Sequence, residues 1–142
     1  MDEAHRLPVH EIVKTIRSFF PEVQAIYLFG SFVHSFERQD SDVDLAILLP
    51  VVRAKVLGSL AFSDCSSAIE DLVNRSVDLV NLRETNTVFQ NEIIHTGERI
   101  GTFDNYETEV FEMLSLSFYQ KLNEERREIL EEIAKSGRVF SL

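Results

Sequence analysis

Apolar residues recur with two different periods along the chain, and the change of period predicts where helices and strands lie. Residues 8–20 show helical spacing, which Pro21 ends. Three short runs rich in β-branched and aromatic residues, at 23–29, 43–49 and 77–82, predict strands. Helices that alternate with such strands predict an α/β fold, in which a small mixed sheet is flanked by helices.

The segments between and after these strands predict further helices. An unbroken 3.6-residue period over 53–74 predicts one amphipathic helix. Thr87 and Gln90 have the spacing of a capping box that opens a short helix, and Gly97 is a natural end for it. Residues 99–103 predict a short edge strand.

A long helix is predicted to begin at the capping residue Asp104 and to end at Gly137. Its apolar stripe consists of Phe111, Leu114, Phe118, Leu122, Ile129 and Ile133. The charged remainder of this helix is either a solvated face or a surface that helps to hold a partner chain.

Length and charge limit the functions that the chain can have. With 142 residues, we expect a single domain over 1–142, with a core at about 8–104 and the last helix at about 105–136. The net charge is −10 and the pI about 4.8, and Lys and Arg form no cluster. Direct nucleic-acid binding is therefore disfavoured, because it depends on Lys and Arg contacts to phosphates. A basic protein partner suits this charge better.

Neither cysteine chemistry nor targeting signals are indicated. Cys65 is the single cysteine and lies at a helical spacing that predicts a buried structural thiol. The N-terminal residues do not form a signal peptide, and the longest apolar run is too short to span a bilayer. We therefore expect a cytoplasmic protein without membrane association.

The first candidate for chemistry is Gly30-Ser31, directly after the first predicted strand. Glycine at this position lets the backbone approach a ligand that a side chain would block. Free N–H groups and a hydroxyl at the start of a short helix favour an anion such as phosphate. A Gly-Ser pair after a strand is common, so it does not identify a site by itself.

Two aspartates begin the next predicted strand. Asp42 and Asp44 are two residues apart, so their side chains leave the same face of the strand about 7 Å from each other. Such carboxylates repel each other unless a cation lies between them. Oxygen ligands select Mg²⁺ or Mn²⁺, often together with substrate phosphates. The alternative is a pair of solvated acids at a polar strand entrance.

A third acid occupies the corresponding place in the third predicted strand. The run "VDLVNL", which contains Asp78, repeats the form of "VDLAIL", which contains Asp44. If the two strands are neighbours, the three acids could bridge two divalent ions. The alternative for Asp78 is a capping or surface acid.

Together these residues resemble the nucleotidyltransferase signature of the DNA polymerase β superfamily, in particular its minimal nucleotidyltransferase (MNT) branch. The signature consists of Gly30-Ser31, ten intervening residues, Asp42-Val43-Asp44 and the downstream Asp78. The motif covers 27–49, and the order of strands and helices extends the resemblance to about residue 103. The resemblance implies a nucleotidyltransferase fold and a Mg²⁺-dependent transfer reaction with ATP as substrate.

The resemblance also implies roles for individual residues. Gly30 and Ser31 would hold the nucleotide phosphates, and Asp42 and Asp44 would ligate two Mg²⁺ or Mn²⁺ ions. Asp78 would complete the metal site and orient the acceptor hydroxyl.

One part of the motif departs from the family pattern. The family often has Ala-Arg-Gly where this chain has Val33-His34-Ser35, so a phosphate contact from that arginine is in doubt. Arg38 is the candidate replacement, and a solvated loop arginine is the alternative.

A stand-alone MNT domain of this size is similar to the antitoxins of HEPN/MNT toxin–antitoxin systems. In that family the MNT protein transfers AMP from ATP to a tyrosine of the HEPN toxin, a ribonuclease, in a hetero-oligomer. Two alternatives remain open. One is an antitoxin that acts by binding alone, and the other is a small-molecule nucleotidyltransferase. The presence of all three aspartates favours the enzyme.

Overall fold

The computed structural model describes residues 7–30 and 42–136, and all elements named below lie within these ranges. The helices are α1 (Val9–Phe19), α2 (Val51–Val56), α3 (Ser59–Val73), α4 (Thr87–Thr96) and α5 (Asn105–Ser136). The strands are β1 (Ala25–Phe29), β2 (Val43–Leu48), β3 (Val77–Asn81) and β4 (Glu98–Thr102), and a 3₁₀ turn (Leu82–Glu84) follows β3.

The four strands form one mixed sheet in the order β3-β2-β1-β4. β1 pairs antiparallel with both β2 and β4, whereas β2 pairs parallel with β3. The central strands β1 and β2 are buried almost throughout, which explains why their sequences are nearly continuous apolar runs. The predicted α/β fold, with a small mixed sheet flanked by helices and a long last helix, is confirmed.

Alternate residues of the sheet enter two separate cores. Val43, Leu45 and Ile47 face the core that α1 and α3 cover, where Cys65 is fully buried. Burial raises the pKa of the Cys65 thiol to about 12, so it is a structural residue, as predicted. Ala46 and Leu48 face the opposite core, which α4 and α5 cover.

The helix predicted over 53–74 is wrong, because the structure has two helices there. α2 ends at Val56, Leu57 has extended backbone angles (φ −72°, ψ 127°), and Gly58 is the N-cap of α3. Glycine lowers helix propensity by about 1 kcal/mol relative to alanine, which favours a break at this position. The buried residues of α3 are Cys65 and Ile69. Leu60, which fits the apolar period, is 74% exposed.

The capping residues were predicted with mixed success. Asn86, not Thr87, is the N-cap of α4, and its Oδ1 accepts from the backbone N–H of Phe89 at 2.8 Å. The Gln90 side chain donates instead to preceding backbone carbonyls. Asp104 does accept from the backbone N–H of Glu107 at 3.1 Å, which confirms the predicted start of α5. The predicted end of α5 at Gly137 lies outside the described residues.

Tyr27 links the sheet to α5. Its side chain is almost fully buried, and its hydroxyl donates to Oε2 of Glu112 at 2.6 Å. Arg99 of β4 places its Nε 3.9 Å from the same carboxylate oxygen. Burial and the hydrogen bond to Glu112 raise the pKa of Tyr27 far above its ordinary value, so the phenol stays protonated.

In the part of the chain that the structure describes, no helix is both long enough and apolar enough to cross a membrane.

We expect Tyr27→Phe to lower the free energy of unfolding by about 1–2 kcal/mol, because it removes a hydrogen bond to a charged group. Urea unfolding measures this change. Tyr106→Phe is the matched control: Tyr106 lies on α5, the helix that carries Glu112, but is 73% exposed, and its change should stay within about 0.5 kcal/mol. Equal effects of the two substitutions would contradict a stabilising role of the Tyr27–Glu112 contact.

Candidate active site

Three strand ends meet at one edge of the sheet and bring the predicted carboxylates together. In the parallel pairing of β2 with β3, Asp44 lies directly opposite Asp78. In the antiparallel pairing of β1 with β2, Phe29 lies opposite Asp44, so Gly30 follows at the same edge. Asp42 immediately precedes β2. The structure therefore brings together Gly30 and all three aspartates.

The register also determines which face of the sheet carries the site. Because side chains alternate along a strand, Asp44 points to the same face of the sheet as Ala46 and Leu48, and Asp78 to the same face as Val80. Ala46, Leu48 and Val80 belong to the core under α4 and α5. Asp42, two residues before Asp44, leaves the same face. Asp42 and Asp78 are exposed and Asp44 is half-buried. The carboxylates thus form an open edge on the α4/α5 side.

The start of β3 is held against α3 by polar contacts that the sequence motif did not reveal. Ser66 Oγ donates to the carbonyl of Val77 at 2.7 Å, and the Val77 N–H donates to Oε2 of Glu70 at 2.9 Å. The available signal was the spacing of Ser66 and Glu70, which are one helical turn apart, each following a buried residue of the α3 stripe. These contacts position Asp78, the next residue along the chain.

Gly30 is required by the position of Asp44. Its φ is +84°, a conformation that residues with a Cβ rarely adopt. A Cβ at this position would collide with Oδ2 of Asp44 and lie 3.2 Å from its Cγ. The group that closely approaches Gly30 in this structure is the Asp44 carboxylate, and the approach of a ligand to Gly30 stays a prediction.

The surroundings of Asp44 disfavour its charged form. The pKa of Asp44 is raised above its ordinary value of 3.8, first by burial and then by the negative charges of Asp78 and Asp42. Adjacent carboxylates of this kind are stabilised by a cation, and oxygen donors suit Mg²⁺ or Mn²⁺.

The donor set fits a metal ion that is shared with a substrate. Within residues 7–30 and 42–136, no three His, Cys, Asp or Glu side chains lie close enough together to hold a metal ion unaided. Mg²⁺ usually takes only one or two carboxylates and completes its shell with water and phosphate oxygens. Asp42, Asp44 and Asp78 are therefore suited to hold Mg²⁺ jointly with a polyphosphate.

Three further residues of the motif region, Ser31, His34 and Arg38, lie outside the described residues. His95 lies in the last turn of α4, where its Nδ1 donates to the carbonyl of Asn91 at 2.9 Å. A histidine in the last turn of a helix can donate to backbone carbonyls in this way, and the contact is structural.

We expect Asp44→Asn to raise the melting temperature of the metal-free protein near neutral pH, because it removes a charge held between two others. A folded-state pKa above the unfolded value means that this carboxyl favours folding at low pH and disfavours it as the pH rises through the raised pKa. The gain from Asp44→Asn should therefore shrink as the pH falls towards 3.8.

Melting curves across pH with a chelator present test this expectation. Asp64→Asn is the control: it removes one charge from an exposed position of α3, on the opposite side of the sheet. A similar gain from Asp64→Asn would show that overall charge, rather than the carboxylate cluster, limits stability.

A match to a known family agrees with this geometry. Residues 10–106 match the polymerase beta nucleotidyltransferase family, and the chain belongs to this family. It is similar to the protein adenylyltransferase MntA of Shewanella oneidensis, with 31% identity over 129 residues that cover 90% of this chain and 88% of MntA.

Solved toxin–antitoxin complexes contain chains of similar structure. One is a toxin–antitoxin crystal structure with AMP-PNP, at a TM-score of 0.74 and 30% identity, covering 90% of this chain and 99% of that chain. Another is tri-AMPylated Shewanella oneidensis HEPN toxin in complex with MNT antitoxin, at a TM-score of 0.70 and 28% identity, covering 92% and 98%. The resemblance to the MNT branch is thereby confirmed.

Proposed function

We propose that this protein is the antitoxin of a toxin–antitoxin pair and transfers AMP from ATP to a tyrosine hydroxyl of a cognate HEPN ribonuclease toxin. The observation that carries the proposal is the pairing of Asp44 with Asp78 beside Gly30, on one open face of the sheet. The similarity to MntA, a protein adenylyltransferase, supports the reaction type. The similarity to antitoxins solved with their toxins supports the partner and a hetero-oligomeric assembly.

The reaction balances without any further reactant. The tyrosine oxygen attacks the α-phosphorus of ATP, the bond to the bridging oxygen of the β-phosphate breaks, and pyrophosphate leaves. The hydroxyl proton is released, and the AMP remains on the tyrosine as a phosphodiester. The neutralised toxin is therefore a covalently modified protein.

Each candidate site residue has a role in this scheme. Asp42 and Asp44 hold two Mg²⁺ ions, with Mn²⁺ as a substitute, and Asp78 completes the site and orients the acceptor hydroxyl. Gly30 and Ser31 bind the phosphates, and Arg38 adds positive charge near them. Bound metal supplies charge neutralisation for the triphosphate and activation of the attacking oxygen.

Electrostatics makes the cation indispensable in this proposal. Three neighbouring carboxylates on a chain of net charge −10 repel a triphosphate. The same charge disfavours nucleic acid as the acceptor, whereas a basic ribonuclease is attracted to it. ATP and an RNA-cleaving partner place the pair in the cytoplasm.

When the chain is co-expressed with its toxin, we expect the intact mass of the toxin to increase by one or more AMP units. Asp42→Asn with Asp44→Asn should abolish the increase, because the metal ligands are lost. Asp64→Asn with Asp71→Asn is the control, since it removes two exposed charges from α3 instead.

Two outcomes of the mass measurement would contradict the proposal. An unmodified toxin that still forms a tight, inactive complex would indicate neutralisation by binding alone. An unmodified toxin that does not bind, together with AMP transfer to a small hydroxyl compound, would indicate a small-molecule enzyme.

Divalent ions should also act on stability. Mg²⁺ with a non-hydrolysable ATP analogue should stabilise the native protein, by about 2.7 kcal/mol at a ligand concentration 100 times Kd. Excess chelator should remove this stabilisation and stop AMP transfer. The variant with Asp42→Asn and Asp44→Asn should show no Mg²⁺-dependent shift in melting temperature. Undiminished AMP transfer in excess chelator would exclude the metal requirement.

A further inference from the structure

The distal half of α5, residues 119–136, extends beyond the body of the domain. Every residue from 120 to 136 is exposed except Ile133, which is partly buried. At 1.5 Å per residue, this half is about 27 Å long. It packs against little of its own chain, yet it contains large apolar side chains.

The exposed apolar residues continue the face that packs against the body. Phe111 and Ser115 are buried under α4, and the same helical phase continues with Phe118, Leu122, Ile129 and Ile133. We call these four residues the distal stripe. Phe118 is 58% exposed and Ile129 60% exposed. A stripe that keeps its phase beyond the domain is suited to contact a second helix.

One side of the distal stripe is acidic. Glu125, Glu128 and Glu132, the acidic shoulder, border Ile129 and Ile133 around a depression of about 630 Å³. In a helix these three residues lie on the same flank of the stripe. A helix seated on the stripe would therefore be favoured by Lys or Arg on the facing side.

A groove between α4 and α5 adjoins the distal stripe. It consists of two depressions of about 530 and 280 Å³, which share Val88 and Glu92. The larger is lined by both Leu122 and Phe89. The Phe89 ring packs edge-on against Phe29 at 5.7 Å, and Phe29 lies opposite Asp44 in the sheet.

We propose that the distal stripe and the α4/α5 groove bind a helix of the HEPN toxin that carries an apolar stripe flanked on one side by Lys or Arg. This inference rests on the proposed function and names the surface that it uses. The carboxylates and α5 lie on the same side of the sheet, so a toxin bound along α5 approaches the face that holds the acids.

Charge favours the toxin over a second copy of this chain. An antiparallel pair of α5 helices would set one acidic shoulder against the other, because like flanks face each other in that arrangement. Each copy also has a net charge of −10. A basic helix has neither disadvantage.

The test compares two charge-matched variants of α5 in the full-length protein. Ile129→Lys with Ile133→Lys places two cations in the distal stripe. Gln120→Lys with Ala134→Lys places two cations on the opposite, exposed face. Calorimetric Kd for the toxin, and kcat and KM for its AMPylation, are the readouts, and melting curves establish that each variant is folded.

We expect the stripe variant to raise Kd and KM for the toxin at least about tenfold, with kcat unchanged, while the opposite-face variant stays near wild type. Glu125→Lys with Glu132→Lys should weaken binding as well. It should also reduce the dependence of Kd on salt concentration, because the acidic shoulder supplies part of the attraction.

Equal Kd values for the two cationic variants would overturn the proposal. It would also be overturned if wild-type protein alone dimerised and the stripe variant became monomeric with unchanged toxin affinity, since the stripe would then join two copies. The direct Kd separates this inference from the proposed reaction: absence of AMP transfer by wild type refutes the reaction, whereas Kd reports on the surface whether or not AMP is transferred.

Discussion

The parallel pairing of β2 with β3 is the contact on which the rest of the site depends. Its register sets Asp44 opposite Asp78 on the same face, with Gly30 at the adjoining end of β1. A shift of one residue in either strand would send one of the two carboxylates to the other face. The pairing therefore creates the site and, at the same time, an electrostatic repulsion that the surrounding structure has to offset.

Apolar burial around the edge provides the compensation. Val43 and Leu45 flank Asp44 and are fully buried, and Val77, before Asp78, is only 8% exposed. Their side chains enter the core under α1 and α3, while the acids project from the opposite face. Since burial of a Val or Leu side chain contributes about 1.5–3 kcal/mol, the alternation of apolar and acidic residues stabilises a register that the acids oppose.

Local patterns predicted this alternation well, because a strand with period two leaves little choice of face. The acids and the buried Cys65 were predicted from residue type and spacing, whereas the adjacency of β2 and β3 was only a condition for the three acids to meet, because local spacing does not determine strand order. The break at Gly58 was not predicted, because a helical period continues in phase across a short interruption. The capping by Asn86 was missed because Thr87 and Gln90 also have the spacing of a capping box. The contacts of Ser66 and Glu70 with Val77 join segments seven or more residues apart, and they depend on how α3 packs against β3.

In the proposed reaction, the openness of the edge that carries the three carboxylates determines where acceptor selection has to occur. Asp42 and Asp78 are exposed, and an exposed edge contacts little of a small acceptor. A protein acceptor can be selected at a distance from the reacting hydroxyl, because binding energy from remote contacts can position the reacting group. The distal half of α5 offers such contacts, because its apolar stripe is exposed. An occupant of that stripe would lie on the same side of the sheet as the carboxylates.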